Sequence, residues 1–232
     1  MPAGEAGMKA IVIGASGGIG SAVTSALEQD GRYGDVLKLS RAQTGLDLTD
    51  EATIRQAAIA ARDSLGAVDL IFDATGGLEI NGQGPEKTIR AIDPGSMAQQ
   101  FAVNAIGPAL LLKHFSPLLR KDGLAVFATL SARVGSIGDN RLGGWISYRA
   151  AKAALNQIVR TAAIEIARSH PQAVVVALHP GTVDTQLSAK FNRNHEVFAP
   201  SQAAVQLLAV VDGLDASQTG SFLAYDGSVI EW

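Results

Sequence analysis

Short apolar runs and amphipathic stretches alternate along this chain. Lys9–Ile13, Val36–Leu39, Asp69–Phe72, Ala125–Thr129, Val174–Leu178 and Ser221–Ala224 read as strands. Several are apolar on both sides of the pleat, as parallel strands are when helices cover both faces. Between them, helical patterns run near Ile19–Gln29, Thr53–Ser64, Ser96–Leu119, Ser147–Ser169 and Ser201–Val211. Pro108 is expected to kink or break the third, because proline has no N–H for the helical ladder. In the second, Ile54, Ala57, Ala58 and Ala61 mark one apolar face. The alternation predicts an α/β fold: a doubly wound parallel sheet with helices on both faces. No linker, charge block or repeat divides the 232 residues, so one domain spanning 1–232 is expected. Residues 1–7 are expected to be frayed or non-native, with Met8 a candidate start.

Two segments break the rhythm. Gly76–Pro94 is polar and turn-rich, and Gln186–Ala199 carries charges and amides before Pro200, a good first helical residue. Each is either a solvated insertion or a loop that contacts substrate, since loops after strands in such folds carry binding residues.

Composition narrows the field. Hydrophobic residues at 47% and charged residues at 18% describe a globular chain, and a net charge of −3 gives no electrostatic reason to expect nucleic acid or a membrane surface. The absence of cysteine removes thiolate catalysis, disulfides and Cys-ligated metals, and suits a reducing cytoplasm. No apolar run reaches membrane-span length and no signal peptide is expected at the start. His114, His170, His179 and His195 lack metal-ligand spacing, so no metal is expected. His179 beside Pro180 either lines a pocket or packs at a strand end.

The candidate chemistry clusters in a few places. Gly14-x-x-x-Gly18-x-Gly20 follows a strand and opens a helix, where glycine lets the backbone approach phosphates facing the helix N-terminus. Tyr148 and Lys152, four apart on a helix, share one face, and a cation there is expected to lower the phenol pKa. Trp145, three residues earlier, is a pocket wall or a helix-entry packing residue. Ser131 lies upstream with no G-x-S-x-G elbow around it, which argues against a hydrolase. Asp47 is either an adenine-side carboxylate or an ordinary turn residue. Arg41, directly after the strand Val36–Leu39 and Ser40, is either a phosphate-reading guanidinium or a solvated charge.

On these residues the chain resembles the short-chain dehydrogenase/reductase family along essentially its whole length. The closing Tyr225-Asp-Gly-Ser-Val-Ile-Glu-Trp232 and the stretch from Asp139 to Asn156 resemble its C-factor-like branch, near the sniffer-type carbonyl reductases. The resemblance implies a Rossmann-type fold and hydride transfer between a nicotinamide cofactor and a carbonyl or alcohol. It assigns catalysis to Asn104, Ser131, Tyr148 and Lys152. It assigns cofactor contacts to Gly14, Ser16, Gly18, Ile19, Gly20, Ser40, Arg41, Asp47, Leu48, Ala74, Thr75 and Gly76. Tyr148, Lys152, Pro180, Gly181, Val183 and Thr185 complete that set. NADP(H) is expected to be preferred over NAD(H), with Ser40 adding a hydroxyl donor beside Arg41. Two departures stand out. Asp73-Ala74-Thr75-Gly76 replaces the family's Asn-Asn-Ala-Gly, and Asn140–Gly144 lengthens the interval from Ser131 to Tyr148. A homodimer or homotetramer is expected, built on Ser96–Leu119 and Ser147–Ser169 through Phe101, Leu111, Leu155 and Ile158. The rival reading is a dinucleotide-binding sensor or signalling protein with little turnover.

Overall fold

The structure is a computed structural model and describes residues 7–185 and 197–232. Most of the expected Gln186–Ala199 loop, with His195, and the first six residues lie outside the described residues.

Six parallel strands form one sheet in the order β2-β1-β3-β4-β5-β6. They are β1 (Met8–Ile13), β2 (Tyr33–Leu39), β3 (Leu70–Asp73), β4 (Ala125–Leu130), β5 (Ala173–His179) and β6 (Phe222–Ala224). The period of two divides their side chains between two apolar layers. Ile11, Ile13, Ile71, Phe127 and Val175 face one layer with Ile54, Leu111, Phe115 and Leu155. Ala10, Val12, Leu70, Phe72, Val126 and Val176 face the other with Val23, Leu27, Leu207 and Val211. Phe72 and Phe127 are fully buried on opposite faces, and each such side chain contributes about 1.5–3 kcal/mol of burial. This is the doubly wound Rossmann-type sheet expected.

The helices are α1 (Gly18–Gln29), α2 (Arg41–Thr44), α3 (Glu51–Leu65), α4 (Pro94–Phe101), α5 (Gly107–Phe115), α6 (Ile146–Ile166) and α7 (Pro200–Asp212). Local chemistry sets their ends. Asp50 accepts the Ala52 N–H at 2.9 Å to start α3, and Gly66, at a φ of 70° that favours glycine, stops it. Asp93 caps α4 at 2.7 Å from the Ser96 N–H, with Pro94 at its first position.

One expected helix is broken differently. Ser96–Leu119 is not one kinked helix but α4, a π-helical turn over Ala102–Ile106, α5, and a 3₁₀ turn over Ser116–Leu118. Pro108 is accommodated near the start of α5, and the ladder widens before it. Its missing N–H deprives the carbonyl four residues back, that of Asn104, of its α-helical donor. Among the described residues no helix is long and apolar enough to cross a membrane.

The order of strand addition reverses between β1 and β3, because β2 lies to one side of β1 and β3 to the other. In open α/β sheets ligands bind beyond the carboxyl ends of the strands at such a point. The segments after β1, β2, β3, β4 and β5 hold the residues described next.

Candidate active site

Gly14 and Gly20 show why this loop is glycine-rich. Gly14 is left-handed (φ 83°), and a Cβ there would sit 3.0 Å from the Ala74 backbone. A Cβ on Gly20 would lie 2.1 Å from the Gly14 carbonyl oxygen, so the turn closes only without one. The loop is tied to β2 by Gly14 and Ala15 N–H bonds to the Leu39 carbonyl at 2.8 and 3.1 Å. Ser16 is exposed on it. Helix α1 begins at Gly17 with no side-chain cap and no acidic residue in its first turn. Its N-terminal amides are therefore suited to a pyrophosphate.

Of the other expected cofactor segments, those at Thr75, Val183 and Thr185 reach this loop. Thr185 reaches the start of α1, where its Cγ2 lies 2.6 Å from the position a Gly18 Cβ would take. Val183 packs with Phe198 and Ala203, against half-buried Ile19 and Tyr225. Gly181 (φ 75°) follows Pro180 under the Phe198 and Tyr225 rings, which meet edge to face at 4.8 Å. Thr75 packs near Gly14, and Leu48 lies against Gly107, where a Cβ would meet the Leu48 side chain at 2.8 Å. Asp47 accepts hydrogen bonds from Thr49 N–H and Oγ1 at 2.8 and 2.7 Å, which hold its carboxyl below the usual range. Ser40 is buried, and its hydroxyl oxygen accepts the Gln43 N–H at 3.2 Å as the cap of α2. That hydroxyl already serves the protein, whereas Arg41 stands exposed beside it.

The expected catalytic residues meet at the carboxyl end of β4. Lys152, only 3% exposed, donates to the Leu130 carbonyl at 2.9 Å. Its ammonium lies 5.9 Å from the Tyr148 ring centre. Ser131 follows Leu130, with its N–H bonded to the Leu178 carbonyl at 2.8 Å. Asn104 is fully buried in the π turn; its amide donates to the Gly77 carbonyl and the Gln100 side chain at 2.8 and 2.7 Å. Its Oδ1 accepts the Gly77 N–H at 3.0 Å. A Cβ on Gly76 (φ 139°) would approach Asn104 Oδ1 at 3.1 Å and Lys152 Nζ at 3.3 Å, so this backbone threads between them.

The electrostatics correct one expectation. Tyr148 is half-buried, and desolvation pushes its phenol up rather than down. Burial also lowers Lys152 itself to about 8, opposed by Asp73. Asp73 is fully buried. Its carboxylate accepts from Thr75 N–H at 2.9 Å, Thr75 Oγ1 at 2.5 Å and Thr129 Oγ1 at 2.6 Å. The departure from the family's amide thus puts an acidic side chain at the switch point, beside the strand that leads to Ser131.

The segment after β3 is bonded to neighbouring elements at a few points, while most of 79–94 is exposed. Gln100 donates to the Leu78 carbonyl at 3.0 Å, and Asn81 pairs with Gln99 at 3.1 Å. Glu86 caps α6 just before Tyr148: it accepts the Ser147 N–H at 2.9 Å and the Ser147 hydroxyl, while its own carbonyl accepts the Trp145 N–H at 2.7 Å. Burial opposes ionisation of Glu86, but these bonds prevail and hold its carboxyl low. Trp145 takes the left-handed conformation (φ 54°) and meets the Tyr148 ring edge-on at 6.4 Å. The Asn140–Gly144 insertion bulges outward, with Leu142 exposed and Arg149 bonding the Gly144 carbonyl at 2.9 Å.

Residues the sequence reading gave no role here are Glu86, Gln100, Asn156 and Phe198. The helix register alone carried a signal for Asn156, which lies one turn beyond Lys152. His179 lies at the end of β5 and is held near pKa 4 by burial, with Arg133 adding to the shift. Among the described residues no three His, Cys, Asp or Glu gather as a metal site.

Comparison with known proteins agrees with this geometry. The enoyl-(acyl carrier protein) reductase family model matches residues 14–230. The chain belongs to the short-chain dehydrogenase/reductase family and is an NAD(P)-dependent enzyme of that class. It is 30% identical to the 1-hydroxy-2-glutathionyl-2-methyl-3-butene dehydrogenase of Rhodococcus sp. strain AD45, over 96% of this chain and 98% of that protein. It is 34% identical to the C-signal protein of Myxococcus xanthus, over 61% of this chain and 81% of that one. A solved NADPH-bound carbonyl reductase from chicken fatty liver superposes with a TM-score of 0.83 at 25% identity, covering 98% of this chain and all of the other.

Proposed function

We propose that this enzyme transfers a hydride between NADP(H) and a carbonyl or alcohol substrate, with Tyr148 as the proton-transferring group. The observation that carries the reading is the buried Lys152 ammonium, set beside the Tyr148 ring, the Leu130 carbonyl and Gly76. Burying a lone ammonium is costly, and a site that stabilises developing negative charge supplies a reason for it. The dinucleotide, when bound, supplies the hydride. The glycine cradle and the uncapped start of α1 fit its phosphates.

In reduction, Tyr148 gives its proton to the nascent alkoxide. A phenol is protonated at neutral pH, as a proton donor must be. Lys152 then stabilises the phenolate left behind and holds the ribose hydroxyls. Ser131 hydrogen-bonds the substrate oxygen. Asn104 has its side-chain amide fully committed, so its part in a water relay to Lys152 falls to its backbone carbonyl, which Pro108 cannot bond. Exposed Arg41 supports a preference for NADP(H), with NAD(H) as a weaker alternative.

We place the protein among homodimers or homotetramers in the cytoplasm, acting on a small molecule. Two of the apolar residues offered for the interface, Leu111 and Leu155, are core residues of the monomer. Ile106 and Ile164, each 53% exposed on the same segments, are the better candidates. A monomer mass by light scattering at micromolar concentration contradicts this. The likeness to C-signal favours, as a second reading, a dinucleotide-binding signalling protein with little turnover. Cofactor oxidation over a panel of aldehydes, ketones and quinones separates the two. Turnover with NADPH supports the enzyme; tight NADPH binding without turnover across the panel supports the sensor.

A further inference from the structure

Helix α6 starts without a cap of its own, and its first turn carries the proposed proton donor. Gly143, Gly144 and Trp145 are all left-handed, with φ of 62°, 68° and 54°. A residue that caps a helix with its own side chain takes an extended backbone, so Trp145 at the cap position makes no such bond. The first turn holds no acidic residue either. Tyr148 is the third residue of that turn, where N–H groups lack partners inside the helix and the chain frays.

The acceptor arrives instead from Glu86, 61 residues before Ser147. From Asn81 to Gly95 every residue is exposed except buried Pro85 and half-buried Glu86. Glu86 turns inward to accept the Ser147 N–H at 2.9 Å and the Ser147 hydroxyl, and its carbonyl accepts the Trp145 N–H at 2.7 Å. Ser147 is only 3% exposed, so water is a poor substitute for that carboxylate. A negative charge here also meets the positive end of the helix dipole. The three bonds fix the backbone on both sides of Ile146, immediately before Tyr148. Lys152, one turn on, is held separately by the Leu130 carbonyl at 2.9 Å. The two functional side chains of α6 thus have independent anchors, β4 for Lys152 and Glu86 for the turn that carries Tyr148.

We infer that Glu86 is a positioning residue, which holds the first turn of α6 so that the Tyr148 hydroxyl stays within proton-transfer reach of the substrate oxygen. The inference rests on the reading of the active centre proposed above. NADPH with benzaldehyde is the probe, replaced by the fastest carbonyl of the panel above if that is better reduced. A displacement of about 1 Å can cost on the order of 10²-fold, so Glu86→Ala is expected to lower kcat roughly ten- to a hundredfold. Its NADPH Kd should not change. The solvent deuterium isotope effect on kcat should grow, because proton transfer from a displaced phenol becomes limiting. Ser147→Ala removes one of the three bonds and is expected to lose less. Glu86→Gln keeps an acceptor for the Ser147 N–H and is expected to show the same signature in smaller measure; it decides the matter if the alanine variant does not fold. In a Tyr148→Phe background Glu86→Ala is expected to cost nothing more, since no phenol proton is left to place. A lowered Tm with kcat and isotope effect unchanged, NADPH affinity lost in step with kcat, or a loss that persists without the Tyr148 hydroxyl overturns the inference and leaves Glu86 a structural cap. Wild-type protein that reduces no carbonyl of the panel, or full kcat in Tyr148→Phe, overturns the reading of the centre instead.

Discussion

Reversing the charge of Arg41 tests the proposed preference for NADP(H) over NAD(H). Arg41 opens α2 directly after β2 and is exposed, while its neighbour Ser40 is buried and occupied as the cap. The guanidinium is therefore the group left to read a phosphate on the adenosine ribose. The nearby Asp47 carboxyl is tied to Thr49 and feels Arg41 only weakly. A hydrogen bond to a charged partner contributes about 1.5–3 kcal/mol, and an exposed one falls at the low end because water and salt screen it. Arg41→Ala is expected to weaken NADPH binding by roughly tenfold and to leave NADH binding unchanged. Arg41→Asp adds repulsion of similar size, so the NADPH loss grows to about a hundredfold and the preference is erased or reversed. Fluorescence titration with both cofactors reads the constants directly. Raising ionic strength should shrink the wild-type preference as it screens the pair. Equal wild-type affinity for NADPH and NADH, or a preference that survives Arg41→Asp, refutes the assignment.

Four further outcomes follow from the site. Tyr148→Phe keeps the ring against Trp145 and removes only the hydroxyl, so NADPH binding should persist while kcat drops about 10²–10⁴-fold; wild-type-like kcat removes Tyr148 from the chemistry. Lys152 is lowered from its usual value to about 8 and acts in its protonated form, so kcat/KM for NADPH should fall as pH rises through about 8. Asp73→Asn removes the charge that supports Lys152 and should move that limb to lower pH; an unmoved limb shows that Asp73 does not act on Lys152. Gly20→Ala drives a methyl into the Gly14 carbonyl, backbone against backbone. It should cost about 1–3 kcal/mol, a Tm loss of roughly 2–12 °C by calorimetry, together with weaker cofactor binding.

The sequence by itself determined the features that local chemistry dictates. Strands apolar on both faces announced a covered parallel sheet. The glycines at 14, 18 and 20 announced a close backbone turn, and the four-residue interval put Tyr148 and Lys152 on one face of α6. Each follows from a period of 2 or 3.6 residues or from the absence of a Cβ, which the chain displays without folding. Tertiary structure decided the rest. Pro108 signalled a break, but the widened turn at 102–106 and the burial of Asn104 depend on what packs around it. The polar segment 76–94 gave no sign in the sequence that Gly77, Leu78 and Glu86 would find partners in Asn104, Gln100 and Ser147 while most of the rest stays exposed. Leu111 and Leu155 were apolar enough for an interface and went to the core, because a helix pattern shows which residues seek burial but not against what. The direction of the Tyr148 pKa turned on desolvation, which is set by three-dimensional surroundings. The bond between Ser131 and Asn156, 25 residues apart, has no periodic signature, since hydrogen-bond partners on different elements meet only when the sheet and α6 are packed together.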